Sequence, residues 1–387
     1  MTQSDLTGRV AHAPGVSPAT SPATSPAAPP ASPPSTAATE TNPPGTRATP
    51  PSRPRVVLLA TGGTIAGAAA SATEVSGYAI GDLGADALLA AVPQIGEIAD
   101  VHAEQLFNID SKDATPAHWA TLATRATDWL ADPTVDGLVI THGTDTMEET
   151  ATLLDLVLPT GKPVIMTGAM RPATALSADG PMNLYDAVQA ASAPACRGHG
   201  VLLCMGEQLH AGFGLRKQYT GRLEAFTAPD GPSGVTRPAI RLFRPPRRED
   251  APRLRPDWKR PLPRVDVIYA GAGTTPELAE AAVACGARAL IVVLPGCGSL
   301  ATSWETTLAT IVGRGIPVVR ASRCGDGDVL PRASDADTGA WPSGVLSPAA
   351  ARITLILALA AAETEPTLDV EAFFDRAARA FRDQAGS

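Results

Sequence analysis

The stretch Thr141-His-Gly-Thr-Asp-Thr-Met-Glu-Glu-Thr150 follows directly on a short apolar run at residues 137–140. A second stretch, Ala60-Thr-Gly-Gly-Thr-Ile-Ala-Gly67, closes another such run, Val56-Val-Leu-Leu-Ala60. Short apolar runs of this kind fit strands buried on both faces, as in a parallel sheet. Each stretch then sets a threonine on the turn just past its strand. Ligands of open α/β sheets bind at the carboxyl ends of the strands. Two threonines at two such ends point to hydroxyl chemistry on a small polar substrate.

The alternation continues outward from these two stretches. Apolar runs recur at 163–167 and 200–205. Helical periodicity lies between them. At 147–158, Leu153, Leu154 and Val157 share a face, and at 181–193, Leu184 and Val188 are spaced i, i+4. Residues 241–262 break the pattern with arginine and proline. They read as an anionic-ligand patch or as a solvated linker kept extended by proline, and the composition favours the linker. Beyond it, strands at 265–270, 289–294 and 317–320 alternate with helices at 276–285, 304–312 and 347–362, the last with Pro348 in its first turn. The expected architecture is α/β, a two-domain α/β/α protein. A larger N-terminal domain, residues 53–240, carries a mainly parallel sheet, and a smaller C-terminal α/β domain spans 263–387.

Residues 1–52 are a different material. They contain the repeat Ser17-Pro-Ala-Thr-Ser-Pro-Ala-Thr-Ser-Pro-Ala27 and few large apolar groups. Such a tail cannot offset its ordering entropy and is expected to be disordered. It lacks the apolar segment of a secretory signal. No later run approaches the roughly 20 residues that span a bilayer. The expectation is a soluble, cytoplasmic chain with no membrane partner. The net charge of -8 counts against a nucleic-acid partner. The five cysteines, at 196, 204, 285, 297 and 324, form no Cys-x-x-Cys pair, and the histidines form no His-Glu-x-x-His, so no metal is expected. The cysteines read as small buried hydrophobes in a reducing compartment.

Gly62 and Gly63 let the chain turn sharply and bring backbone N–H groups near a ligand, where they can stabilise an oxyanion. Thr64 on that turn is a nucleophile if a base or a relay activates it, and otherwise part of a tight turn. Asp145 with Glu148 has the spacing of a helix capping box. Glu148 and Glu149 also suit the positive end of a helix dipole. Thr144 adds a second hydroxyl, and Asp145 a carboxylate able to hold a substrate ammonium group. A base is still required. His142 is near, but reads equally as a packed side chain. Lys217 serves if burial lowers its pKa, although its local sequence reads as an ordinary exposed lysine.

From about residue 54 to 385 the chain resembles bacterial L-asparaginases of the two-domain type, especially the type II subgroup. The matching segments are the two threonine stretches and Gly168-Ala-Met-Arg-Pro172 followed by Ser177-Ala-Asp-Gly-Pro181. The resemblance implies a cofactor-free hydrolase that converts asparagine to aspartate and ammonia. It also implies a homotetramer with sites at the interface of paired subunits. By position it implies Thr64 as nucleophile and Tyr78 as the activating tyrosine on a mobile loop, with residues 67–78 closing as a lid over substrate. Thr144, Asp145 and Lys217 match the second catalytic cluster. Ser111 matches a ligand of the substrate carboxylate, and Asp145 doubles as an ammonium ligand. Gly63, Gly143 and Ala169 line the substrate, with backbone N–H groups for the oxyanion. Covalent attack by Thr64 and one-step attack by water at Thr144 both stay open.

The chain departs from the family at several places. Where the family usually has Gly-Ser-Gln after an Asn-Ile pair, this chain has Asn108-Ile-Asp-Ser-Lys112. Lys112 therefore stands where a glutamine helps hold the substrate ammonium. A cation there is unfavourable unless it is well solvated. Either Lys112 swings out, or it pairs with Asp110 or Asp113, or the substrate lacks a free amino group. Gly273 stands where a neighbouring subunit's asparagine would reach the site. Asp326 and Asp328 are candidates for the acid that a partner would donate. The departures count against strong glutaminase activity and tight asparagine binding. The alternatives are a glutaminase-asparaginase, a hydrolase of N-blocked asparagine, the ammonia-producing subunit of a transamidation complex on charged transfer RNA, and a non-catalytic amino-acid-binding protein. The intact set of Thr64, Thr144, Asp145 and Lys217 argues against the last.

Overall fold

The computed structural model describes residues 53–68, 71–73, 83–159, 161–229, 231–246 and 253–379. The tail at 1–52, Tyr78 and most of the expected lid lie outside the described residues. Five parallel strands, with the second at one edge, make up most of the larger sheet: β1 (Arg55–Gly62), β2 (Asp100–Ile109), β3 (Gly137–Thr141), β4 (Val164–Thr167) and β5 (Val201–Met205). β6 (Gln208–Ala211) turns back antiparallel, β7 (Arg216–Lys217) and β8 (Phe226–Thr227) form a separate small hairpin, and β9 (Gly234–Val235) and β10 (Arg241–Leu242) finish the edge. The order across the sheet is β10-β9-β6-β5-β4-β3-β1-β2.

The helices α1 (Ala85–Ala90), α2 (Ile95–Ile98), α3 (Pro116–Ala131), α4 (Met147–Val157) and α5 (Gly180–Ser192) cover both faces. Side-chain alternation along the strands divides the core accordingly. Val57, Leu59, Leu138, Ile140 and Met166 pack under α3 and α4. Val56, Leu58, Val139, Ile165 and Leu202 pack under α1, α2 and α5. Burial on both sides explains why β1 and β3 are apolar without alternation. Each fully buried Val, Leu or Ile in them contributes about 1.5–3 kcal/mol.

One crossover has an unusual hand. The β3-to-β4 and β4-to-β5 connections step in the same direction across the sheet, yet α4 and α5 lie on opposite faces. The connections through α3, through α4 and through α1 with α2 share one hand, and α5 has the other. Parallel crossovers are right-handed in about 98% of cases, so α5 is the exception. Its consequence is local: the first turn of α5 is carried beneath the loops that follow β1 and β4.

A smaller, wholly parallel sheet follows: β11 (Val265–Tyr269), β12 (Ala289–Leu294), β13 (Val318–Ser322) and β14 (Trp341–Pro342). α6 (Glu277–Ala284) and α7 (Thr302–Gly313) pack on one face, and the short α8 (Asp335–Thr338) follows β13. α9 (Pro348–Ala362) and α10 (Val370–Arg379) pack on the other face and share a core with α4. Arg352 of α9 reinforces this contact, reaching Glu149 at 3.0 Å and the Val265 carbonyl at 3.0 Å. The Arg/Pro-rich stretch is built into the fold at both described ends. Its first residues are strand β10, and Leu254 is buried with its N–H on the Leu156 carbonyl. The cysteine expectation holds for two of five: Cys196 and Cys204 are buried, and Cys285, Cys297 and Cys324 are exposed. Burial pushes the Cys196 thiol up to about 11. Among the described residues no helix is long and apolar enough to cross a membrane.

Candidate active site

The chain leaves β1 to one side to form β2, and β3 is then laid on the other side of β1. Such a reversal opens a crevice at the carboxyl ends of the two strands. Thr64 follows β1 and Thr144 follows β3, so the two hydroxyls flank that crevice. Both side chains are buried.

Glycine allows the two loops to meet. Gly62 and Gly63 have φ of +100° and +83°. At Gly63 ψ is -176°, a combination essentially confined to glycine. A Cβ at Gly63 would stand 2.5 Å from both the Cα and the N of Gly143. The backbones of the two threonine loops therefore touch. Gly143 is equally confined on its other side, where a Cβ would lie 2.7 Å from Ser111 Oγ. Ser111 is further fixed by Thr146, whose hydroxyl donates to the Ser111 carbonyl at 2.8 Å. Gly63→Ala should lower stability by about 2–4 kcal/mol through strain and overlap. Urea denaturation would measure this, and activity should fall with it.

Lys217 completes the cluster. Its Nζ donates to Thr144 Oγ1 at 2.9 Å and to Asp145 Oδ1 at 2.5 Å. The lysine side chain is 16% exposed and that of Asp145 59%. The local expectation of an exposed Lys217 is thus overturned. Its strand β7 folds against α4, and this tertiary contact leaves no trace in the neighbouring sequence. The capping box is also absent. The residue before α4 is Thr146, the Asp145 carboxylate is taken by Lys217, and Glu148 Oε2 accepts the Lys217 backbone N–H at 2.8 Å.

His142 is a packed side chain. Trp119 Nε1 donates to Thr150 Oγ1 at 3.2 Å, and Thr150 Oγ1 lies 3.0 Å from His142 Nε2. His142 Nδ1 is 2.7 Å from the Gly143 carbonyl, which only accepts. The proton therefore sits on Nδ1, and the Thr150 hydroxyl donates to Nε2. Burial pushes the His142 pKa down to about 4, so the ring stays neutral near pH 7 and orients the Gly143 peptide.

The loop after β4 adds a third wall. Asp179, at the start of α5, accepts the N–H groups of Met170 and Arg171 at 2.9 Å each, and Asn183 Nδ2 donates to the Gly168 carbonyl at 3.0 Å. Ala169 is buried in this loop, and Gly180 packs on Ile65 beside Thr64. Local sequence reasoning missed Asp179 and Asn183 as fasteners of this loop. Their signal was the Ala-Asp-Gly-Pro helix start with Asn183 one turn on.

Two sequence models match these same segments. Asparaginase, N-terminal covers residues 55–246, and Glutaminase/Asparaginase C-terminal domain covers 264–374. The chain belongs to the asparaginase family. It is similar to L-asparaginase 2 of Escherichia coli (strain K12), 41% identical over 330 residues, with 84% of this chain and 93% of that protein covered. It is similar to the glutaminase-asparaginase of Pseudomonas fluorescens biotype A, 36% identical over 325 residues, covering 82% and 89%. The crystal structure of a probable cytoplasmic L-asparaginase from Campylobacter jejuni matches with a TM-score of 0.76 at 34% identity, covering 83% of this chain and 99% of that one.

Two departures of this asparaginase-family chain can be placed. Lys112 pairs with Asp110, is 64% exposed, and has its pKa raised by that partner. It still feels the charge of Asp145. Gly273 sits in the turn after β11 with φ +78° and open space around it. Asp326 lies in the loop after β13, near enough to Arg216 to act on its charge. Asp328 is in the same loop.

Proposed function

We propose that the protein hydrolyses the side-chain amide of L-asparagine to L-aspartate and ammonia, with Thr64 as nucleophile. What carries the reading is Lys217 Nζ held between Thr144 Oγ1 and Asp145 Oδ1, across the crevice from Thr64. Thr64 Oγ bonds to the amide carbon, and its proton passes by a hydroxyl relay to the leaving nitrogen. The C–N bond breaks and ammonia departs. Water then bonds to the acyl carbon, the Thr64 ester bond breaks, and a water proton returns to Thr64. Tyr78 is the proposed activator of Thr64. Because Lys217 donates to Thr144 Oγ1, the Thr144 hydroxyl proton is directed elsewhere, toward the crevice. Ser111 takes the substrate carboxylate and Asp145 its ammonium. N–H groups of the loops carrying Gly63, Gly143 and Ala169 surround the amide oxygen. We place these groups in an N-terminal domain at 53–240, in a cytoplasmic homotetramer.

Ammonia release measured with asparagine, glutamine and an N-acyl-asparagine tests the substrate. Asparagine should be preferred, and no release from any of the three would refute the reading. A second reading, an N-blocked asparagine substrate, is favoured by the cation at Lys112. The pairing with Asp110 and the exposure of Lys112 support the first. Lys112→Gln should therefore change kcat/KM for asparagine by less than about threefold, as expected for a solvated charge. A tenfold gain would assign Lys112 to selection against the free ammonium.

A further inference from the structure

Lys217 does its work from a weak element. β7 and β8 are two residues each, and such a hairpin is not stable alone. Leu215, Ala225 and Phe226 bury its apolar side in the core, and Lys217 pairs with Phe226 across the hairpin, but the Lys217 N–H is taken outside it. Two polar groups supply the rest. Glu148, in the first turn of α4, accepts the Lys217 N–H at 2.8 Å. That helix start also carries Thr144 and Asp145 on the residues just before it, so Glu148 ties the lysine to the groups it must reach. Arg216 reaches the other way. Its Nη2 donates to the Val345 carbonyl at 3.0 Å, and its Nη1 to the Gly325 carbonyl, both past β13 in the smaller domain. Gly325 also packs against Gln218, on the far side of Lys217. The opposite charges of Glu148 and Arg216 act on each other across the strand.

We propose that Glu148 is a positioning residue for Lys217, holding its backbone so that Nζ meets both Thr144 and Asp145, and that Arg216 completes the clamp from the smaller domain. The assignment rests on the catalytic reading of Thr144, Asp145 and Lys217 given above. Glu148 does not touch substrate. It sets the register between helix and hairpin, and a displacement of about 1 Å in such a group lowers a rate about 100-fold. The charged groups facing Glu148 are Glu149 on its own helix and Arg216 and Lys217 on β7. Burial raises the Glu148 carboxyl pKa, and in either protonation state the side chain keeps an oxygen that accepts the Lys217 N–H.

The test is kcat and KM for asparagine in wild type, Glu148→Ala, Glu148→Gln and Lys217→Met. Glu148→Ala should lower kcat about 10- to 100-fold with KM within about threefold. Glu148→Gln should recover to within about threefold of wild type near pH 8, because its amide oxygen still accepts the Lys217 N–H. A folded Glu148→Ala protein with kcat within about twofold of wild type overturns the proposal, as does Glu148→Gln impaired like Glu148→Ala. If Glu148→Ala fails to fold, Glu148→Met takes its place, since it fills the space but offers no acceptor oxygen, and a kcat within about twofold of wild type overturns the proposal. An inactive Lys217→Met beside an unimpaired Glu148→Ala sinks the positioning role alone. A fully active Lys217→Met sinks the catalytic reading and the positioning role with it.

Discussion

Thr64→Ala should lower kcat for asparagine by about 10³- to 10⁴-fold while leaving KM within a few-fold, the pattern of a group that acts only in the transition state. The turn that carries Thr64 is made by the positive φ of Gly62 and Gly63, not by the threonine, so the loop should keep its shape. The N–H groups around the amide oxygen would stay in place and account for the remaining rate. Ammonia release under saturating asparagine measures the loss, and unchanged far-UV circular dichroism shows that the fold persists. The competing route has water attacking directly with help from Thr144. On that route Thr64→Ala would retain activity within about tenfold while Thr144→Val abolished it. The pair of variants therefore separates two mechanisms that the same constellation of hydroxyls permits.

What was legible in the sequence, and what was not, follows from how each element is buried. β1 and β3 lie at the centre of the sheet, covered on both faces, and so read as uninterrupted apolar runs. β2 is the edge strand, mostly half-buried or exposed, and its Asp100-Val-His-Ala-Glu-Gln-Leu-Phe-Asn-Ile sequence holds no such run. α3 was equally hidden. Its buried face, Trp119, Leu122, Ala123, Ala126 and Leu130, has helical spacing, but alanine and threonine dilute it. Local chemistry shows the same division. Gly62, Gly63 and the two threonines announce themselves because their backbone demands are local. Lys217 does not. Its pairing with Thr144 spans 73 residues of sequence, and only family resemblance located it. Glu148 is the instructive error. Its spacing from Asp145 fits a capping box, but a carboxylate in a first helical turn binds whatever donor is nearest, and here a strand 69 residues away supplies it.

Lys217→Met should lower kcat by about 10²- to 10⁴-fold, through loss of one charge-assisted donor to Thr144 and of the cation beside Asp145. Methionine keeps most of the aliphatic stem, so packing of β7 against α4 should survive. The effect on stability should be far smaller. Asp145 is more than half exposed, and a solvent-screened ion pair of this kind is worth about 0–1 kcal/mol. The two measurements together are diagnostic. A structural role for Lys217 would move the urea midpoint and leave kcat nearly unchanged in the folded fraction. A catalytic role would do the reverse. Lys217→Arg should fail to restore activity although it keeps the charge. The planar guanidinium cannot place one donor on Thr144 Oγ1 and another on Asp145 Oδ1 from the position that a compact ammonium occupies at 2.9 and 2.5 Å. Full activity in Lys217→Arg would mean that the site needs only a nearby positive charge. That result would remove the geometric part of the case for a Thr144–Lys217–Asp145 relay.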